Sequence, residues 1–241
     1  MLIAGVDGCK AGWLCITRQD TGLLLSEIYA TAAALCEQSP APDLIAIDIP
    51  IGLADVGPRS CDLIARKMLG RRGCCVFTAP IRPLLTAKTY QEANATRRQV
   101  EGKGLAKQVW EISAKIREVD GVAKTHPNFQ ERVREVHPEV CFTAWNRNVP
   151  ILTPKKSPAG RETRAALVAQ HFGPSAFSTV RQRHVRTDVG DDDINDAFAA
   201  LWTAGRIIAG TACLIPERPS RDSLGLRMEM WCCSRPWSTS R

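Results

Sequence analysis

"DLIAIDIPIGL" runs from Asp43 to Leu53. Isoleucine stands at positions 45, 47, 49 and 51, with Leu44 and Ala46 on the alternate side. A run that is apolar on both faces belongs in the middle of a sheet, covered from both sides, as in α/β proteins. Asp48 is the exception inside the run, and Pro50 and Gly52 mark its end.

The residues upstream supply the neighbours of this strand. "LIAGVDGC" (2–9) is a buried strand, Lys10 to Gly12 a turn, and "WLCIT" (13–17) the return strand of a hairpin. "DTG" (20–22) turns the chain into a third strand, "LLLSEIY". A short helix follows from Thr31 to Gln38 with Thr31 as its N-cap, and "SPAP" links it to the Asp43–Leu53 strand. Three meandering strands, a helix and a buried strand parallel to the first predict an α/β fold with a mixed sheet.

Downstream the pattern changes. Residues 52–134 hold 16 Lys/Arg against 8 Asp/Glu, which accounts for the whole net charge of +7. Helical patterns dominate there: "CDLIARKMLG" ends at Gly70 and "GLAKQVWEISAKIREVDG" at Gly121. This segment reads as a mostly helical, basic insertion. "ERVREVHPEVCFTAW" returns to strand composition, and on a regular strand Glu135, His137 and Glu139 would share a face. "RETRAALVAQHFG" is a helix closed by Gly173, "FSTVRQRHV" fits either class, and Asp191 to about Gly210 is the last long helix. The expected organisation is one domain over residues 1–230 and a loose tail over 231–241.

Composition narrows the class. With 241 residues and 44% hydrophobic content, the chain can bury one sizeable core. Its start lacks the charged and apolar regions of a signal peptide, and no uncharged stretch is long enough to span a membrane. Ten cysteines without a CxxC, and four histidines, give no zinc pattern; most of the cysteines read as small core residues in a reducing cytoplasm. A basic surface around an acidic centre suits a polyanionic partner, although +7 serves equally as solubility charge.

The acidic centre is written in "DVGDDDINDAFAAL", Asp188 to Leu201. Asp193 and Asp196 lie three residues apart and Asp192 and Asp196 four apart, so either pair shares a helix face with Ala197, Ala200 and Ala204. Small residues let that face lie close to a sheet. The carboxylates then point at the sheet's end, where Asp7 and Asp48 are expected. Each residue also has an ordinary role open to it: helix capping for Asp191 to Asp193, a hairpin acceptor for Asp7, a turn for Asp48, the surface for Glu139. A carboxylate-rich Mg²⁺ or Mn²⁺ site accounts for them together, because hard cations neutralise converging carboxylates. Two such ions about 4 Å apart serve phosphodiester cleavage.

"GVDGCKAGW", "IDIPIGL", "RSCDLIARKMLGRR" with "VFTAP", "KIREVD", "EVHPEVCF" and "DDDINDAFAAL" together, in this order, resemble a large family of uncharacterised proteins described as predicted RNase H-like nucleases. The resemblance covers roughly residues 2 to 230. It implies an RNase H-like α/β fold: a mixed five-stranded sheet flanked by helices, with a mostly helical insertion between strands 4 and 5. It also implies a RuvC-resolvase-type acidic site, in which Asp7, Asp48, Asp193 and Asp196 hold Mg²⁺ or Mn²⁺. Asp48 is one methylene shorter than the glutamate frequent at its position in resolvases. Glu139 and His137 belong to the family's "HPE" motif, and Glu118 and Asp120 to "REVD", with roles left open.

The expected activity is divalent-metal-dependent hydrolysis of DNA or RNA by Asp7, Asp48, Glu139, Asp193 and Asp196. Arg71, Arg72, Lys155, Lys156 and Arg161 are the candidate phosphate contacts, or else a solvated basic face. One rival is a sugar-kinase-like phosphotransferase, suggested by "GVDGCKAGW" but lacking a second glycine-rich phosphate loop. Another is a non-catalytic nucleic-acid-binding module.

Overall fold

Alternating side chains on adjacent strands divide the interior into two layers. The computed structural model describes residues 1–233; most of the tail expected over 231–241 therefore lies outside the described residues. Five strands, β1 (Leu2–Cys9), β2 (Gly12–Gln19), β3 (Leu24–Tyr29), β4 (Leu44–Ile47) and β5 (Val133–Glu135), form one sheet in the order β3-β2-β1-β4-β5. The first three pair antiparallel, and β4 and β5 run parallel to β1. The expected mixed α/β sheet is thus present, with β4 buried at every position.

Ile3, Cys9, Leu44 and Ala46 face one layer, while Ala4, Val6, Ile45 and Ile47 face the other. The first layer is closed by α9 (Asp191–Ile208), whose Ala197, Ala200, Leu201 and Ala204 lie in the same cluster. Here Gly5 is indispensable: a Cβ on it would sit 2.1 Å from the Leu201 nitrogen and 2.2 Å from the Ala197 oxygen. Around α9 pack α6 (Pro138–Trp145), α7 (Pro158–Phe172) and α8 (Ala176–Arg183). The second layer takes α1 (Ala32–Cys36) and α4 (Lys107–Thr125), through Leu35, Ile116, Val119 and Val122. Thr31 caps α1 as its sequence predicts, its side chain accepting from the Ala34 N–H at 3.1 Å.

The segment between β4 and β5 is helical, as expected: α2 (Ser60–Leu69), a 3₁₀ stretch at Gly70–Cys75, another at Arg82–Thr86, α3 (Tyr90–Glu101), α4 and α5 (Phe129–Arg132). A buried ion network fastens it to the sheet. The Arg59 guanidinium donates to Asp62 at 2.5 Å and to Glu135 at 2.6 Å, and to the Ile51 and Gly52 carbonyls. Glu135 also accepts from the Ile51 N–H at 2.6 Å, and Asp62 from the Ala79 N–H at 3.0 Å. Burial opposes the charge on Arg59, but Glu135 and Asp62 outweigh it and hold the guanidinium protonated.

Two expectations are corrected. The helix expected to stop at Gly121 continues to Thr125, because nothing crowds that exposed glycine and the interior tolerates it at about 1 kcal/mol. The expected strand "ERVREVHPEVCFTAW" is strand only at β5. Pro138 starts α6 at its first position, where its missing N–H costs nothing, so Glu135, His137 and Glu139 do not share a strand face. Near the end of the described residues β6 (Cys213–Ile215) pairs with β7 (Met230–Cys232), which takes in Trp231 and Cys232 of the segment expected as tail. "FSTVRQRHV", open in the sequence, is helical as far as Arg183, within α8. Among the described residues, no helix is long and apolar enough to cross a membrane.

Candidate functional site

Period-two alternation sets the site. Asp7 follows the Val6–Ile47 pair on β1, and Asp48 follows it on the parallel strand β4, its N–H donating to the Val6 carbonyl at 3.0 Å. Residues of the same parity, Gly5 on β1 and Ala46 on β4, contact or face α9, so Asp7 and Asp48 continue the α9-facing side beyond the last pair. Asp196 immediately precedes Ala197, whose carbonyl approaches Gly5, and is only 1% exposed. Two strand ends and one helix thus bring three aspartates to the end of the parallel strands, where α/β sheets bind ligands.

Their mutual repulsion is visible in their proton affinities. Burial, then Asp196 and Asp48, hold the Asp7 carboxyl well above the usual carboxylate range. Burial and Asp196 push Asp48 up to about 8, with Lys155 opposing. Burial raises Asp196 too, against the pull of Lys155. Lys155 Nζ donates to Asp196 Oδ2 at 2.5 Å and lies 3.9 Å from Asp192 Oδ2; Asp196 in turn raises the lysine's pKa. The other carboxylate oxygen, Asp196 Oδ1, is buried and finds no hydrogen-bond partner among the described residues.

Asp193 is divided between two tasks. Its Oδ2 accepts from the Gly190 N–H at 2.8 Å and so caps α9, while its charge still adds to the repulsion on Asp7. Burial raises its pKa, with the Gly190 hydrogen bond opposing. Asp191 pairs with Arg186 at 2.6 Å and Arg181 at 3.3 Å, away from the centre.

A cavity of about 290 Å³ opens beside the aspartates. Asp48, His137, Glu139, Lys155 and Asp196 line it on the sheet side, and Arg72, Cys74, Cys75, Phe77, Gln108 and Ile112 on the insertion side. Glu139 is largely committed: both of its oxygens accept from Arg164 Nη2, at 2.7 and 2.8 Å, and Arg72 lies 4.0 Å away. Of the five basic candidates, Arg72 and Lys155 line the cavity. Arg71 and Lys156 are exposed outside its lining, and Arg161 donates to the Lys156 carbonyl at 2.5 Å. Glu118 is a structural residue, accepting from the Ala32 N–H and from Trp13 Nε1. Asp120 pairs with Arg82 and Lys124.

The residues that sequence reasoning missed are cationic. Arg59 and Arg164 are fully buried partners of acids, and Lys155 was expected to meet substrate rather than Asp196. The signal for Arg59 was its place three residues before Asp62: it stands as the N-cap residue of α2, from which its guanidinium reaches the acid of the first turn. Arg164 had no local signal, because Glu139 lies 25 residues away.

The donor set suits a hard cation. Asp7, Asp48, Asp193 and Asp196 offer carboxylate oxygens alone, and Asp196 Oδ1 is an unused buried acceptor. Among the described residues, the one group of three ligand-type atoms within 4.8 Å of one another is Cys61, Asp62 and Glu135. Arg59 already neutralises that group. Asp7, Asp48, Asp193 and Asp196 do not supply three such atoms within 4.8 Å of one another; Mg²⁺ binds through one or two carboxylates and keeps several waters. No curated protein and no solved structure matches the chain. Residues 5–221 match the model of a family described as a protein of unknown function (DUF429), and the chain belongs to that family.

Proposed function

We propose that the protein is a divalent-metal-dependent nuclease of the RNase H-like superfamily, hydrolysing phosphodiester bonds in DNA or RNA. The observation that carries this reading is Asp196 beside Asp7 and Asp48: a buried carboxylate with an unpartnered oxygen, at the end of the parallel strands. The antiparallel-then-parallel sheet, with one aspartate on β1, one after β4 and others on the first turns of α9, supports it by analogy with the superfamily's acidic site.

Asp7, Asp48 and Asp196 would hold Mg²⁺ or Mn²⁺, with Asp193 adding charge from the α9 cap. A bound cation supplies an activated water and charge stabilisation for the leaving oxygen. The protein's own residues do the rest. Arg72 offers a guanidinium fork to a phosphate in the cavity. Phe77 and Ile112 give that cavity an apolar wall. Arg164 clamps Glu139 and fixes it at the cavity edge, as a positioning residue.

The Lys155–Asp196 ion pair favours a second reading, a non-catalytic nucleic-acid-binding module in which lysine replaces the metal. Labelled single-stranded, duplex and hybrid DNA and RNA, incubated with Mg²⁺ or Mn²⁺, separate the two. The nuclease reading expects cation-dependent cleavage by wild type and a loss of at least about a hundredfold in Asp196→Asn. Cleavage that survives in Asp196→Asn sinks the site assignment. Binding without cleavage of any substrate favours the module.

A further inference from the structure

Asp196 is 1% exposed, yet the cation that pairs with it is not: the Lys155 side chain is 38% exposed. The lysine therefore enters the aspartate centre from the solvent side. It can leave without opening the core. Its backbone is held where it stands. Pro154 accepts from the Ser157 N–H at 3.0 Å and from the Ser157 hydroxyl at 2.8 Å, and that hydroxyl caps α7 by accepting from the Gly160 N–H at 3.1 Å. Gly160 in turn touches the Pro154 carbonyl so closely that a Cβ would lie 1.9 Å from it. The loop is a fixed base, and the long lysine stem is its mobile part.

The lysine leaves the acidic centre incompletely partnered. One ammonium faces the Asp7, Asp48 and Asp196 carboxyl groups, with Asp192 at 3.9 Å, and Asp196 Oδ1 has no hydrogen-bond partner among the described residues. A divalent cation offers twice the charge at the same point, and oxygen ligands can surround it, whereas an ammonium has only three donors. The two cations cannot share the oxygen that Lys155 now occupies without repelling one another.

We propose that Lys155 is a built-in counter-ion that competes with the divalent cation for the aspartate centre and so sets the cation concentration at which the site fills. This rests on the cation-dependent reading of the site. In the empty state Lys155 holds the aspartates together. As the cation binds, its ammonium withdraws into the cavity that it shares with Arg72. The affinity measured for a cation then includes the cost of breaking the Lys155–Asp196 pair.

Mn²⁺ binding to wild type, Lys155→Met and Lys155→Arg, followed by the electron paramagnetic resonance signal of the free ion, tests this directly. Lys155→Met keeps the stem and removes the charge, so its Mn²⁺ affinity is expected to rise by about tenfold or more, within the range usual for coupled sites. Lys155→Arg keeps the competing charge and is expected to show no gain. If Lys155→Met is destabilised without a cation, the Mn²⁺-induced rise in melting temperature is compared instead, and a larger rise than in wild type is expected. Wild-type binding with equal or weaker binding, or an equal or smaller rise, in Lys155→Met overturns the competition and leaves the cation site standing. No Mn²⁺ binding by any of the three proteins overturns the cation reading, and the competition with it.

Discussion

A carboxylate in a strand can be read in the sequence; its partner cannot. Asp7 and Asp48 stand out because each interrupts an apolar run, and Asp196 because it lies too far inside α9 to cap it. Those positions were legible from local pattern alone, and the structure brings the three side chains together. Their proton affinities give a test free of any substrate. Asp7 is held well above the carboxylate range by burial and its acidic neighbours, so an uncharged amide of the same size relieves repulsion. Asp7→Asn is therefore expected to melt no lower than wild type at pH 8 without a divalent cation, and to lose the stabilisation that Mg²⁺ confers on wild type. Melting curves with and without Mg²⁺ check both halves; a destabilised variant with an unchanged Mg²⁺ shift contradicts the reading. The cations were less legible. Arg164 and Lys155 reach Glu139 and Asp196 across 25 and 41 residues, and a long side chain carries no signature of the distant acid it meets.

At the scale of elements, the close approach of α9 to β1 decides where Asp196 points. The alanine stripe 197, 200 and 204 announces that approach in the sequence, and Gly5 is its counterpart on the strand. Gly5→Ala forces a methyl into the α9 backbone, so it is expected to lower stability by about 1–3 kcal/mol, the usual cost of overpacking, or more. The urea midpoint measures this, and an unchanged midpoint contradicts the contact. Helix ends were legible where capping chemistry marks them, as at Thr31, Gly70 and Gly173. They were misjudged where tertiary packing overrides local preference: α4 runs through Gly121 because Val119 and Val122 bury on either side of it. The short β5 was extended too far because "EVCFTAW" has strand composition, yet Pro138 and the buried side of α6 against α9 make it helical.

Over the whole molecule, the aspartate centre links folding, protons and cations. Asp48 rises from an unfolded carboxylate near 3.9 to about 8 in the folded chain, so the folded state binds more protons between those values. Its contribution is therefore full below about pH 4 and is lost as pH rises towards 8. Relative to wild type, Asp48→Asn is expected to gain stability as pH rises from 5 to 8, and paired denaturation curves across that range check the sign. A divalent cation needs the ionised carboxylates and releases their protons, so its stabilising effect on wild type should grow over the same interval. The most direct measurement of the central claim is calorimetric titration of Mg²⁺ into wild type and Asp196→Asn at pH 8. The account predicts saturable binding to wild type, accompanied by proton release, and binding weakened at least about tenfold in the variant. Equal binding by both proteins, or none by wild type, contradicts it.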